Sequence, residues 1–388
     1  MIPHEDYYIL TAYDNSGRKW SSRCLSPSKN PCSGNLGAVL FSDLDLIECS
    51  LKIPSQQKEN LTWLKFRIFE NIRIPCNAAT EIEIKRKGKP SGGNVSRDYV
   101  EFSLDDYKFE LNSKNNILDF TISKESELLP KYLESRSIEA LRFVIARPCD
   151  WNTMEICRGK TNKKILIRKT KNKTLKYVIY PPIDLSLKNT DSVWKLFCSF
   201  FIFILQYKNP KKLHPISALL QNIILSSTGA IEARILSLVI AIEKILKMYY
   251  GKVGAISENE KKDIDFAINC IKDSAIDSRT KKRIVGAVGT WYKASAKTLI
   301  LKLVQDGLIT NDEFDSWDKA RNQLAHGEFL KYTDLQYLVD IHSKVLTMFY
   351  KLIFNVIRYR GPYVDYGTKG WPIKDFCPNI NIKCNIAK

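Results

Sequence analysis

The chain has 388 residues, 44% of them hydrophobic and 26% charged, which excludes a disordered polymer and leaves room for two ordinary domains. Sixty Lys and Arg against 42 Asp and Glu leave a formal charge of +18, a balance that implies a polyanionic partner, nucleic acid first among them. The bland reading of the same number is an AT-rich genome that favours Lys codons, but the lysines are also clustered.

The 10 cysteines fail the spacings of a zinc site: Cys24 and Cys32, Cys149 and Cys157, and Cys377 and Cys384 are all too far apart for a C-x2-4-C pair. Free thiols are expected, with no metal and no cofactor. The amino terminus, MIPHEDYYIL, is neither basic nor continuously apolar, so no signal peptide is expected. The longest apolar run, Leu196 to Leu205, is about half a bilayer crossing and reads as a buried helix. A cytoplasmic location without membrane contact is expected.

From Tyr7 to about Pro182 the periodicity is that of strands. Short β-branched or aromatic runs at Tyr7–Ala12, Leu61–Ile74, Glu81–Ile84, Tyr99–Leu111, Ile117–Ile122, Ala140–Ile145, Lys163–Ile167 and Tyr177–Tyr180 are separated by turn-forming clusters such as Asp14-Asn15-Ser16-Gly17. This predicts an antiparallel sandwich or barrel-like domain, with a short helix near Glu127–Glu134. Trp20, Trp63 and Trp151 are assigned to its core. No nucleotide loop, acid pair or hydrolase elbow occurs here, so this half reads as a recognition or scaffold module. Its one charged feature is Arg158 to Lys176, with nine basic residues and no acid. Lys163, Lys164, Arg168, Lys169, Lys171 and Lys173 would lie on a hairpin turning near residues 171–173. Such a hairpin either follows a phosphate backbone or is a solvated edge guarded by lysines.

Beyond Pro181-Pro182 the period becomes 3.6. Helices are predicted at Ser192–Tyr207, Ile216–Leu225, Gly229–Tyr250, Ser257–Asp273, Ser278–Val288, Ala294–Gln305, Asn311–His326 and Thr333–Arg360. Capping boxes open two of them, Thr310-Asn311-Asp312-Glu313 and Thr333-Asp334-Leu335-Gln336. In Gly229–Tyr250, Arg234, Ser237, Ala241 and Lys244 form the solvent face. Glu232 and Glu243, 11 residues apart, fall within roughly 20° of one another toward packed surface and need cations. Arg321 lies on the apolar stripe of Phe314, Trp317, Leu324 and Ala325, where an unpaired guanidinium costs several kcal/mol, roughly. It is the favoured partner of Glu243, a lysine being the alternative. Gly327 should end that helix and leave His326 in its last turn, where the helix dipole favours the imidazolium. His342 sits on the apolar stripe of Leu335, Leu338, Val345, Phe349, Leu352 and Val356 and reads as a core residue.

The run Arg321-Asn322-Gln323-Leu324-Ala325-His326 is similar to the R-x4-6-H signature of the HEPN superfamily. GAIEARILSLVIAIEKIL resembles the long first helix of HEPN domains. A β-rich amino-terminal domain joined to such a domain, closed by Tyr359-Arg360-Gly361-Pro362-Tyr363 and Gly370-Trp371-Pro372, resembles the ApeA-like anti-phage proteins. The fold class expected is therefore α+β multidomain: an N-terminal antiparallel β-rich domain over residues 1–185, an all-α HEPN-like domain over 190–360, and a tail, 361–388, packed on the helices.

The resemblance implies a metal-independent endoribonuclease that uses the RNA 2′-hydroxyl as nucleophile, an abortive-infection effector released when the β domain senses a phage-derived trigger. His326 would be the general acid or base, Arg321 the phosphate ligand, Asn322 an orienting group, and Glu243 the holder of Arg321, with Glu232 supporting. Arg321 and His326, five residues apart, diverge by roughly 140° on a continuous helix. Either the helix unwinds there or a homodimer or higher homo-oligomer completes the site. The target would be RNA, a tRNA or an mRNA. The other class of function is a HEPN module that binds RNA or a protein without cleaving.

Overall fold

The computed structural model describes residues 8–13, 19–24, 44–52, 62–86, 89–125, 129–130, 132–158, 162–168, 179–209, 211–251, 257–292, 294–325 and 335–377. It divides into two units, one of residues 1–175 and 185–213, the other of 176–184 and 214–388.

Among the described residues, the first unit is built on one ten-stranded antiparallel sheet. In chain order its strands are β1 (Tyr8–Tyr13), β2 (Lys19–Cys24), β3 (Leu44–Lys52), β4 (Thr62–Ile68), β5 (Ala78–Arg86), β6 (Lys89–Leu104), β7 (Tyr107–Lys114) and β8 (Ile117–Lys124). After helix α1 (Leu133–Ile145) come β9 (Thr153–Arg158) and β10 (Asn162–Arg168). The spatial order β1-β2-β3-β10-β9-β4-β8-β7-β6-β5 leaves β1 and β5 as edges among the described residues, so the described strands form an open sheet where a sandwich or barrel was expected. Alternation is strict where β4 meets β8: Leu64, Phe66 and Ile68 face Ile122, Phe120 and Leu118, all buried. On the other face Arg67 stands opposite Asp119 and is paired with it at 2.7 Å. Trp63 and Trp151 are half-buried, not core, and the Arg168 guanidinium lies 4.8 Å over the Trp151 ring.

Two helices belong to this sheet. Residues 140–145, expected as a strand, form the second half of α1, because a short segment of mostly apolar residues satisfies either period and only its packing decides. Helix α2 (Thr190–Leu205), expected at the head of the helical domain, lies in the first unit instead. Its aromatic stripe settles it there: Trp194 stacks on Phe102 at 5.0 Å, and Phe197 and Phe201 meet Phe109 edge-on at 5.4 and 5.3 Å. Fully buried Arg136 of α1 donates to the carbonyl oxygens of Tyr207, Asn209 and Lys212 and pairs with Glu139, which ties down the segment following α2.

The second unit holds α3 (Pro215–Ser226), α4 (Ile231–Ile245), α5 (Glu258–Asp273), α6 (Ser278–Gly289), α7 (Ala296–Gln305), α8 (Asn311–Ala325) and α9 (Leu335–Val356). A single π turn, Leu246–Tyr250, extends α4 and places Tyr250 where its hydroxyl donates to the Leu352 carbonyl. The Thr310 capping box forms: Thr310 N–H donates to Glu313 and Glu313 N–H to Thr310 Oγ1. Thr333 and Asp334, of the second expected box, lie outside the described residues. Leu335, assigned to the buried stripe of α9, is 70% exposed, whereas Leu338, Val345, Phe349, Leu352 and Val356 are buried. A hairpin of β11 (Gly361–Val364) and β12 (Ile373–Phe376) closes on α9, with Tyr363 and Phe376 against Phe354. It also gathers the early segment: Tyr366 donates to the Pro181 carbonyl, Val364 N–H to that of Pro182, and Tyr350 to that of Tyr180. Among the described residues no helix is long and apolar enough to cross a membrane.

Candidate active site around Arg321 and Glu243

Helix α8 is set by its capping box and by Glu313, whose carboxylate also takes the Lys351 ammonium of α9 at 3.0 Å. Trp317 and Ala320 bury one side of α8 completely, and this rotation turns Arg321, four residues after Trp317, toward α4. There Arg321 Nε donates to Glu243 Oε1 at 2.7 Å, the pairing that the two helix faces predicted. The guanidinium carbon lies 5.7 Å from the Trp317 ring centre, so a fully buried indole supports it from beneath. The Trp317 ring nitrogen is itself buried without a hydrogen-bond partner among the described residues.

Nε carries the bond to Glu243, and among the described residues the two terminal amino groups of Arg321 have no partner. The side chain is 43% exposed. A guanidinium fixed by its inner nitrogen and open at its outer fork is pre-shaped to receive a second anion, and a phosphate matches that fork. Lys247, one turn along, comes to 4.0 Å of the other Glu243 oxygen and adds positive potential to the same spot.

The other predicted residues divide sharply. Asn322 follows Arg321 on α8 and is exposed. Glu232 is half-buried, with one carboxylate oxygen buried and without a hydrogen-bond partner, and among the described residues no cation pairs with it. Of the expected solvent face of α4, Lys244 is exposed and Ala241 is buried; the apolar Leu236 and Ile240 are also exposed, at 36% and 47%. α8 stays helical through Ala325, and His326 and Gly327 lie outside the described residues. His342 is buried on α9, and desolvation, with the Arg234 charge next, holds its imidazole down at about 4.

The part of the basic segment expected as one strand of a hairpin lies in β10, which is paired on one side with β9 and on the other with β3; the expected turn at residues 171–173 lies outside the described residues. Arg168 is exposed and engaged by Trp151, and Lys164 is half-buried on the face that Met154 and Ile156 share. The Lys163 side chain, Lys169, Lys171 and Lys173 lie outside the described residues. Cys149 and Cys157 are buried, and burial pushes the Cys149 thiol up to about 12, which makes it inert.

Comparison of the chain with protein-family models, with curated proteins and with solved structures returns no match.

Proposed function

We propose that the chain is a metal-independent endoribonuclease of the HEPN type, with Arg321 and His326 as its catalytic pair. The observation that carries this reading is the Arg321 guanidinium, fixed through Nε by Glu243 with its outer fork unpartnered among the described residues, on a helix whose sequence runs on to His326. In this reading Arg321 holds the scissile phosphate and stabilises the charge that builds on its oxygens. His326 moves the proton between the 2′-hydroxyl, the phosphate and the leaving 5′-oxygen. Glu243 is a positioning residue and Asn322 orients the RNA or the imidazole. The RNA supplies its own nucleophile, so the products carry a cyclic phosphate and a 5′-hydroxyl. A two-fold arrangement of chains is supported by the exposed aliphatic pair Leu236 and Ile240 on α4, the helix that bears Glu243. The anti-phage role belongs to the same proposal: a cytoplasmic effector whose sheet-bearing unit responds to a phage-derived trigger.

The test incubates wild type, Arg321→Ala and His326→Ala with total bacterial RNA in EDTA and reads the new ends. Cleavage by wild type alone, leaving 5′-hydroxyl ends, is expected. Equal cleavage by wild type and variants would overturn the assignment.

A further inference from the structure

The two edges that the described strands leave on the ten-stranded sheet are built differently. β5 carries the usual protection. Its ladder with β6 shifts register between Ala78 and Thr80 and again between Ile84 and Lys85, and Glu81, Glu83, Lys85 and Arg86 lie along it. Bulges twist an edge away from any further strand, and charges resist being covered by one.

β1 has neither device. Its sequence, YILTAY, contains no charged residue, no proline and no glycine. All six of its residues pair with β2 in unbroken register, from Tyr8 opposite Cys24 to Tyr13 opposite Lys19. Tyr8, Ile9, Thr11 and Tyr13 are of the aromatic and β-branched types that favour strands. Alternate residues of an antiparallel edge strand turn their N–H and C=O groups away from the neighbouring strand. Among the described residues no strand takes up that outer row of β1. It is an uncharged template roughly 20 Å long.

We propose that β1 pairs antiparallel with β1 of a second copy of the chain, joining the two ten-stranded sheets edge to edge about a two-fold axis. A strand lies against its own copy only where outward-turned residues meet outward-turned residues. The axis therefore passes through a residue position and, for the fullest overlap, through Leu10 or Thr11. The absence of charge is what favours a copy over a foreign strand. A charge near the axis would stand close to its own duplicate, and YILTAY brings no like charges together. A foreign extended segment could answer a charge on β1 with an opposite one and places no such demand on the edge. The exposed Leu236 and Ile240 of α4 belong to the other unit and form a separate surface.

The test uses the full chain carrying Ile240→Glu, which closes the α4 surface and lets the β1 contact be read alone. Sedimentation equilibrium should find a dimer. Adding Leu10→Lys or Thr11→Lys, at neighbouring positions that alternate between the two sheet faces, should raise the dimer dissociation constant by at least about tenfold. Adding Thr11→Val, neutral and strand-forming, should leave it unchanged. In the unsubstituted chain, amide exchange over residues 8–13 should slow as protein concentration rises. A monomer in the Ile240→Glu chain, or a dimer that neither lysine weakens, would overturn the proposal. Exchange over residues 8–13 that ignores concentration would overturn it too, and leave the edge to an extended segment of another protein.

Discussion

With 43% of the Arg321 side chain and 25% of Glu243 open to water, their ion pair contributes about 0.2–1 kcal/mol to stability. That is too little to account for an arginine placed above a buried indole; under the proposed function the pair aims the guanidinium. Glu243→Gln should therefore leave the Tm within a degree or two and lower cleavage on the order of 10–100-fold. Arg321→Ala should lower it on the order of 100–1,000-fold, and Arg321→Lys should recover little, because a lysine has no fork. A Glu243→Gln variant with full activity would sink the positioning role. His342 offers a purely structural test. Its imidazole is held at about 4 in the fold, against about 6.5 in the unfolded chain. The unfolded chain thus binds the extra proton between those values, so the stability is full above about pH 6.5 and falls as pH drops toward 4, by roughly 3 kcal/mol in all. Urea midpoints at neutral and acid pH should show this loss in wild type and not in His342→Leu; equal losses would refute it.

At the scale of elements, α8 and α9 are held together by a charge pair that is almost dry. The Lys351 and Glu313 side chains are 11% and 6% exposed. Lys351→Ala strands the Glu313 carboxylate and should cost about 3–5 kcal/mol. Lys351→Met combined with Glu313→Gln keeps the capping box and removes both charges, so it should return most of that loss. Unfolding curves of the two variants decide, and equal destabilisation would mean that packing and not charge governs the site. The β11–β12 hairpin depends on Gly361 in a similar local way. Its φ is +150°, and a Cβ there would come to 2.8 Å from the Tyr359 hydroxyl, which itself donates to the Pro362 carbonyl. Gly361→Ala should loosen the hairpin by about 1–3 kcal/mol, read as faster amide exchange over residues 361–376. The first of these features was half-legible beforehand: the Thr310–Glu313 box can be read from spacing, but that Glu313 also meets Lys351 depends on two helices crossing.

At the scale of the whole chain, each unit takes a segment from the other side of its neighbour in sequence: residues 176–184 go with the later helices and 185–213 with the sheet. No single cut separates them cleanly. A fragment of residues 214–388 lacks the Tyr180, Pro181 and Pro182 carbonyls that Tyr350, Tyr366 and Val364 bond, and should melt below the intact chain. A fragment of 176–388 keeps them but leaves the α2 aromatics without Phe102 and Phe109, and should aggregate. Two fragments that behave alike would contradict this division. Oligomer size is the other property of this scale: Ile240→Glu on the exposed face of α4 should dissociate a two-fold assembly in sedimentation and abolish cleavage if the site needs both chains.

The sequence by itself determined the helices from α3 to α9 to within a few residues, much of the strand character of the first half and the cap of α8, and it favoured the Arg321–Glu243 pairing over a lysine. Each of these follows from local periodicity, end chemistry or the angular spacing of residues on one helix. Tertiary structure alone decided the single open sheet, the helical state of residues 140–145, the transfer of α2 to the sheet and the interior place of β10. An apolar stripe announces that a surface will be buried without naming what buries it, and a strand announces two hydrogen-bonding edges without naming their partners. The aromatic rings of Phe102 and Phe109 and the ladders of β3 and β9 supplied those answers through contacts distant in sequence.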